Sequence, residues 1–154
     1  MKKALFFDNA KLLFDQFGIV PLMYGSLGLE YLTGENLNSD DIDILIPGVF
    51  INEKWAELKT FLADNGYVLV DEHEHAFQKD GVCYSYASLE ELETFAQIHL
   101  SDIACKQDFG IRFKLLSLEQ YLKVYTASSK DGYRIHVRQK KDADKILLIE
   151  KHLQ

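Results

Sequence analysis

Apolar residues recur at helical spacing near the start of the chain, at Phe6, Ala10, Leu13 and Phe17. That period predicts an amphipathic helix over residues 2–17, ended by Gly18. Ile19 to Tyr24 then reads as a short buried strand, stopped by Gly25-Ser26. A second helix is expected from about Leu27 to Leu32, broken by Gly34, and residues 35–40 carry loop chemistry. Ile42 to Ile46 alternates as a strand and ends at Pro47-Gly48. Trp55, Leu58 and Leu62 mark a third helix from about Asn52 to Asp64, with Asn65-Gly66 as its stop.

The period then shortens to two. Tyr67–Val70, Ala76–Lys79 and Val82–Tyr86 read as strands, the last two joined by Asp80-Gly81, a strong hairpin signal. Ser88 with Glu91 forms a capping box that opens a helix near residues 89–95. Ile98–Lys106 and Ile111–Leu116 pair as two more strands, turning at Asp108-Phe109-Gly110. Ser117 caps a helix through Tyr125, and a final helix runs from about Lys140 to Leu153. No internal repeat, low-complexity tract or linker interrupts the pattern. It describes a single α+β domain over residues 1–154, a mixed β-sheet flanked by helices.

Composition narrows what this domain binds. With 47% hydrophobic and 27% charged residues, the chain reads as an ordinary soluble protein. Its net charge of −7 argues against a general nucleic-acid binder, whose affinity comes from basic side chains neutralising phosphates. It still admits a nucleotide held by a few local cations and a metal. Asp8 and Asn9 cut the apolar run after Met1 before a signal-peptide core forms, and no stretch approaches a membrane span. Cys83 and Cys105 lack metal or disulfide spacing and read as buried thiols in a reduced, cytoplasmic setting.

The candidate chemistry lies in Tyr24-Gly25-Ser26-Leu27-Gly28 and in Ser39-Asp40-Asp41-Ile42-Asp43-Ile44. Residues two apart in a strand share a face, so Asp41 and Asp43 project together. Side by side on an otherwise apolar strand, two carboxylates repel and lose solvation. A divalent cation between them relieves both costs, and hard oxygen ligands with an open shell suit Mg²⁺, or Mn²⁺, bridging to a phosphate. A solvated pair on an edge strand is the plainer alternative, but the flanking Ile42, Ile44, Leu45 and Ile46 weigh against it. Gly25 and Gly28 let the backbone turn sharply and approach a ligand, Ser26 adds a hydroxyl, and the following helix points N–H groups at an anion. Neither a P-loop nor a dinucleotide-binding glycine pattern is present.

These two segments resemble the nucleotidyltransferase superfamily that includes DNA polymerase beta and the aminoglycoside nucleotidyltransferases. The family pattern is a strand, Gly-Ser, a short helix, and a strand with Asp-hydrophobic-Asp. Tyr24-Gly25-Ser26 and Ser39-x-Asp41-Ile42-Asp43 match both halves in order. The resemblance implies a metal-dependent transfer of a nucleoside monophosphate from a nucleoside triphosphate to a hydroxyl acceptor. Gly25 and Ser26 would hold the β- and γ-phosphates, and Asp41 and Asp43 would be the catalytic metal ligands. Lys123, Arg134 and Lys141, in a stretch like the family's basic C-terminal segment, would supply further phosphate contacts. The acidic charge points to a small molecule or a protein as acceptor ahead of a nucleic acid. Active members usually carry a third carboxylate on a neighbouring strand, where this chain has Ser85; Glu74, Asp80 or Asp102 are the candidates to substitute. A serine cannot act as general base or as a charged ligand for a second metal. The alternative is therefore a catalytically degenerate module of the same fold, one that binds nucleotide or acts as half of a toxin–antitoxin pair.

Three other features read as structural. His73-Glu74-His75 offers two imidazoles on one strand face, too few for zinc, and fits an exposed strand end better. Lys140 and Lys141 suit a solvated helix start. Tyr84, Tyr86, Phe109 and Phe113 are expected in the core.

Overall fold

The structure is a computed structural model. It describes residues 2–129 and 135–154, with side chains described for 2–129 and 142–154. The chain begins with α1 (Lys2–Phe17), which buries Phe6, Ala10 and Leu13 as its period predicts. Then come β1 (Leu22–Met23), α2 (Gly25–Thr33), β2 (Asp41–Ile46) and α3 (Trp55–Asp64). Three antiparallel strands follow, β3 (Val68–Asp71), β4 (Ala76–Lys79) and β5 (Val82–Ser88). The last part holds α4 (Glu91–Phe95), β6 (Ala104–Asp108), β7 (Ile111–Leu115), α5 (Leu118–Ser129) and α6 (Ile135–Leu153).

The strands form one mixed seven-stranded sheet in the order β3-β4-β5-β2-β1-β7-β6. Central β2 runs antiparallel to β1 and parallel to β5, while β1 runs parallel to β7. Alternation on β2 divides the molecule. Ile42, Ile44 and Ile46 join Tyr84 and Tyr86 on the face covered by α1 and α3. Asp41, Asp43 and Leu45 point to the opposite face, where Leu92 of α4, Tyr121 and Val124 of α5 and Ile149 of α6 form a second core. The α+β architecture is thus the one the alternating pattern implies. Among the described residues, no helix is long and apolar enough to cross a membrane.

Local departures have local causes. The strand expected from Ile19 to Tyr24 shrinks to Leu22–Met23, because Gly18 is left-handed and Pro21 has no N–H to donate. The strand expected over Ile98–Lys106 starts only at Ala104, after a 3-10 turn at Leu100–Asp102. Ile98 and Ile103 both bury into the second core. The last helix begins at Ile135 rather than Lys140, since nothing between them breaks a helix. Asp80-Gly81 makes the hairpin expected, with both residues at positive φ. Ser88 donates to Glu90 rather than Glu91, and the Glu90 carboxylate also takes the Gly48 N–H. Ser117 and Gln120 form a reciprocal capping box.

Two expectations of burial fail. Cys105 is exposed and Cys83 only half-buried, because β6 is an edge strand and Cys83 lies on the Asp41 side of the sheet. Phe109 sits at the β6–β7 hairpin tip and is 79% exposed, whereas Tyr84, Tyr86 and Phe113 are in the core.

Candidate functional site

Gly25 opens α2 directly after β1, and its φ of +61° is left-handed backbone that favours glycine. A side chain there would also collide with Asp43. A Cβ built on Gly25 lies 2.5 Å from Asp43 Oδ2, so the turn and the carboxylate pack directly together. The Tyr24 N–H donates to the Asp43 carbonyl at 3.0 Å, fixing the same approach through the backbone. Gly28 is constrained too. A Cβ there would collide with the Tyr121 hydroxyl and the Met23 carbonyl.

Glu30 of α2 organises the loop leading to the Asp strand. Its Oε1 accepts from the Leu37 N–H at 2.8 Å, the Ser39 N–H at 3.3 Å and the Ser39 hydroxyl at 2.9 Å. Ser39 Oγ in turn lies 2.8 Å from Ser26 Oγ. Because Ser39 has one hydroxyl proton and gives it to Glu30, Ser26 must be the donor in that pair. The Ser26 hydroxyl is thus occupied by Ser39, and an anion at this turn meets the N–H groups of the first helical turn instead.

Asp41 and Asp43 share a face of β2, Asp41 exposed and Asp43 half-buried. Parallel pairing sets Cys83 beside Asp41 and Ser85 beside Asp43. Burial, with the nearby Asp41 and Asp43 charges adding to it, raises the Cys83 thiol above its ordinary range, so this cysteine is a poor nucleophile. The position expected to hold a third acid therefore holds a neutral hydroxyl. Glu74 lies in the β3–β4 turn, Asp80 at the β4–β5 hairpin and Asp102 in the 3-10 turn. None of the three lines the cavity described next. Among the described residues, no group of three or more His, Cys, Asp or Glu side chains could hold a metal. Asp41 and Asp43 could together hold one divalent cation, and among the described residues no third acid joins them in a metal-holding group.

A cavity of about 670 Å³ opens over this face. One wall is Tyr24, Gly25, Ser26, the 37–40 loop, Asp41 and Asp43; the other is Tyr125 and Ser128 of α5 with Asp142 and Lys145 of α6. Tyr121 ties the walls together, donating to the Gly25 carbonyl at 3.0 Å and approaching that of Met23 at 3.4 Å. Burial, with Tyr125, Tyr24 and Asp43 adding to it, pushes its pKa well above 10, so it remains a donor. Its ring stacks between those of Tyr24 and Tyr125.

Of the basic residues expected here, Lys123 is exposed on α5 and does not line the cavity. Arg134 and the Lys141 side chain lie outside the described residues. Lys145, which the sequence reading missed, lines the cavity with its ammonium 5.4 Å from the centre of the Tyr125 ring. Spacing on α6 from the Lys141-Asp142 pair held the only signal for it. His73 and His75 both lie in the β3–β4 turn, and His75 packs edge-on against Trp55.

Comparison with solved structures identifies the fold. The chain superimposes on an antigenic nucleotidyltransferase-like protein from Paracoccidioides brasiliensis with a TM-score of 0.63 and 20% identity, over 96% of this chain and 74% of that one. It also superimposes on ANT(2″)-Ia in complex with adenylyl-2″-tobramycin, with a TM-score of 0.59 and 13% identity, over 100% and 91% of the two chains. The protein has the nucleotidyltransferase fold. No protein-family model matches it. By sequence it belongs to the same family as the uncharacterised protein YnaI of Bacillus subtilis (strain 168), with 40% identity over 146 residues, covering 95% of this chain and 94% of YnaI.

Proposed function

We propose that the chain binds a nucleoside triphosphate with one divalent cation in this cavity and transfers the nucleoside monophosphate to a hydroxyl acceptor. The carrying observation is the contact between Asp43 and Gly25, which puts a carboxylate against the backbone turn at the start of α2. The N–H groups of that first turn would bind the β- and γ-phosphates. Asp41 and Asp43 would hold Mg²⁺ or Mn²⁺. Such a cation, when bound, neutralises charge on the transferring phosphoryl group and the pyrophosphate leaving group. Lys145, from the opposite wall, takes the role first assigned to Lys123 as the basic phosphate contact. The likeness to ANT(2″)-Ia, solved with an adenylylated antibiotic, supports a small hydroxylated acceptor.

Thermal melting with ATP, GTP, CTP and UTP, each with and without Mg²⁺, tests the binding half. A Mg²⁺-dependent stabilisation of about 2.7 kcal/mol is expected at 100 times the Kd, and Asp43→Asn should abolish it. No stabilisation by any nucleotide would end the proposal.

Ser85 favours a second reading, in which nucleotide binds and transfer is lost. Beside Asp43 it leaves the acceptor hydroxyl without a general base. Pyrophosphate release separates the two. Release by the wild-type protein supports the enzyme; release only after Ser85→Asp supports the binding module.

A further inference from the structure

The α5–α6 wall of the cavity, opposite the Gly25 turn, holds a buried carboxylate that the transfer chemistry does not use. Asp142 of α6 is 3% exposed and lines the cavity. Its Oδ2 accepts the Ser128 hydroxyl at 2.8 Å, and Ser128 is itself 7% exposed. That one bond leaves the other acceptor sites of the two carboxylate oxygens for a ligand. Burying a carboxylate costs less when hydrogen-bond donors complete its shell.

Helix α5 provides a ruler for where this group sits. Tyr121 touches the Gly25 carbonyl, and Ser128 lies seven residues further along the same helix. At 1.5 Å per residue that is about 10 Å along the axis. A nucleoside triphosphate with its phosphates at Gly25 and Asp43 would carry its sugar and base across that span. On that wall Val124, Tyr125 and Leu148 line the cavity, a largely apolar surface suited to a sugar or a base. At that spacing the carboxylate would stand clear of the phosphates, where its charge would repel, and near the half of the nucleotide that carries donors.

We propose that Asp142, held by Ser128, is the specificity-determining group for the nucleoside, accepting two adjacent hydrogen-bond donors with its two oxygens. Two parts of a nucleotide present such a pair: the N1–H and N2–H edge of guanine, and the 2′,3′-diol of ribose. Adenine and cytosine offer a donor beside an acceptor, and uracil a donor between two acceptors, so none of these bases matches a carboxylate in both positions. The inference rests on nucleotide binding as proposed above.

Equilibrium titration of the full chain with the Mg²⁺ complexes of GTP, ATP, 2′-deoxy-ATP and 3′-deoxy-ATP tests it, in wild type and Asp142→Asn. The Asn variant keeps the Ser128 hydrogen bond through its carbonyl and places an amide donor where an acceptor stood. If Asp142 reads guanine, wild type binds GTP at least tenfold tighter than ATP and the variant loses that preference. If it reads ribose, wild type binds GTP and ATP alike, each deoxy form weakens at least tenfold, and the variant binds every nucleotide as weakly as the deoxy forms. Wild-type protein that binds all four equally well overturns the assignment, whatever the variant does. Equal affinity of variant and wild type for each nucleotide overturns it too. Wild-type protein that binds none of them overturns the nucleotide site itself, a different and recognisable result.

Discussion

Residues 22–46 form one wall of the cleft as an unbroken stretch of chain, whereas α5 and α6 bring the other wall back from far along it. Met23 and Tyr121, which meet across the walls, are 98 positions apart. Within the first wall each residue is fixed by its neighbours: Gly25 by its positive φ and by Asp43, and Ser39 by Glu30 and Ser26. The second wall is held by contacts between two helices, Ser128 with Asp142 and Tyr125 with Lys145. It is placed by burial of Tyr121, Val124 and Ile149 against the sheet, and only then do Ser128, Asp142 and Lys145 reach the cavity. On the proposed function, the local wall would set which group binds phosphate and the remote wall what else fits.

The strongest way to break this contrast is to loosen the remote wall alone. Ile149 of α6 is fully buried in the second core. Ile149→Ala should cost about 2–5 kcal/mol, from lost transfer energy and the cavity left behind. Chemical denaturation should show that loss in a single transition. Unchanged stability would mean that α6 contributes no core, and that its side of the cleft is not a wall.

A smaller effect tests how the walls are joined. Gly28→Ala forces a methyl group against the Tyr121 hydroxyl and the Met23 carbonyl, and should cost about 1–3 kcal/mol. Tyr121→Phe removes the bond to the Gly25 carbonyl and should cost about 1 kcal/mol. The double variant should cost less than the sum, because the hydroxyl is one of the two obstacles to the methyl group. Strict additivity, measured by denaturant melts of all four proteins, would show that the two contacts are independent.

The same contrast explains what could be read from the residues. Tyr24-Gly25-Ser26 and Asp41-Ile42-Asp43 were legible because strand alternation and a glycine turn are local rules, and the structure brings both to one cavity. The β2–β5 pairing that sets Ser85 beside Asp43 follows from the same alternation once the strands are neighbours. Lys145 and Asp142 were not legible. Nothing in the Lys141-Asp142-Ala143-Asp144 string says which side chain turns inward, since that depends on how α6 rolls against α5. Cys105 and Phe109 misled for a related reason: apolar residues mark burial only where a neighbouring layer exists, and both sit at the exposed β6 edge and hairpin.

The smallest effect expected concerns Ser39, the residue that joins the Gly-Ser turn to the Asp strand. Ser39→Ala removes its hydroxyl bonds to Glu30 and Ser26, and should lower stability by about 1 kcal/mol. Yet it also frees the Ser26 hydroxyl, which in the native chain is directed at Ser39. If phosphate is bound by the backbone of the turn, the variant should bind Mg²⁺–nucleotide at least as tightly as wild type while melting lower. A tenfold or greater loss of affinity would show instead that Ser39 and Glu30 hold the turn in its binding shape. The local wall would then depend on its side-chain web, and not on glycine geometry alone.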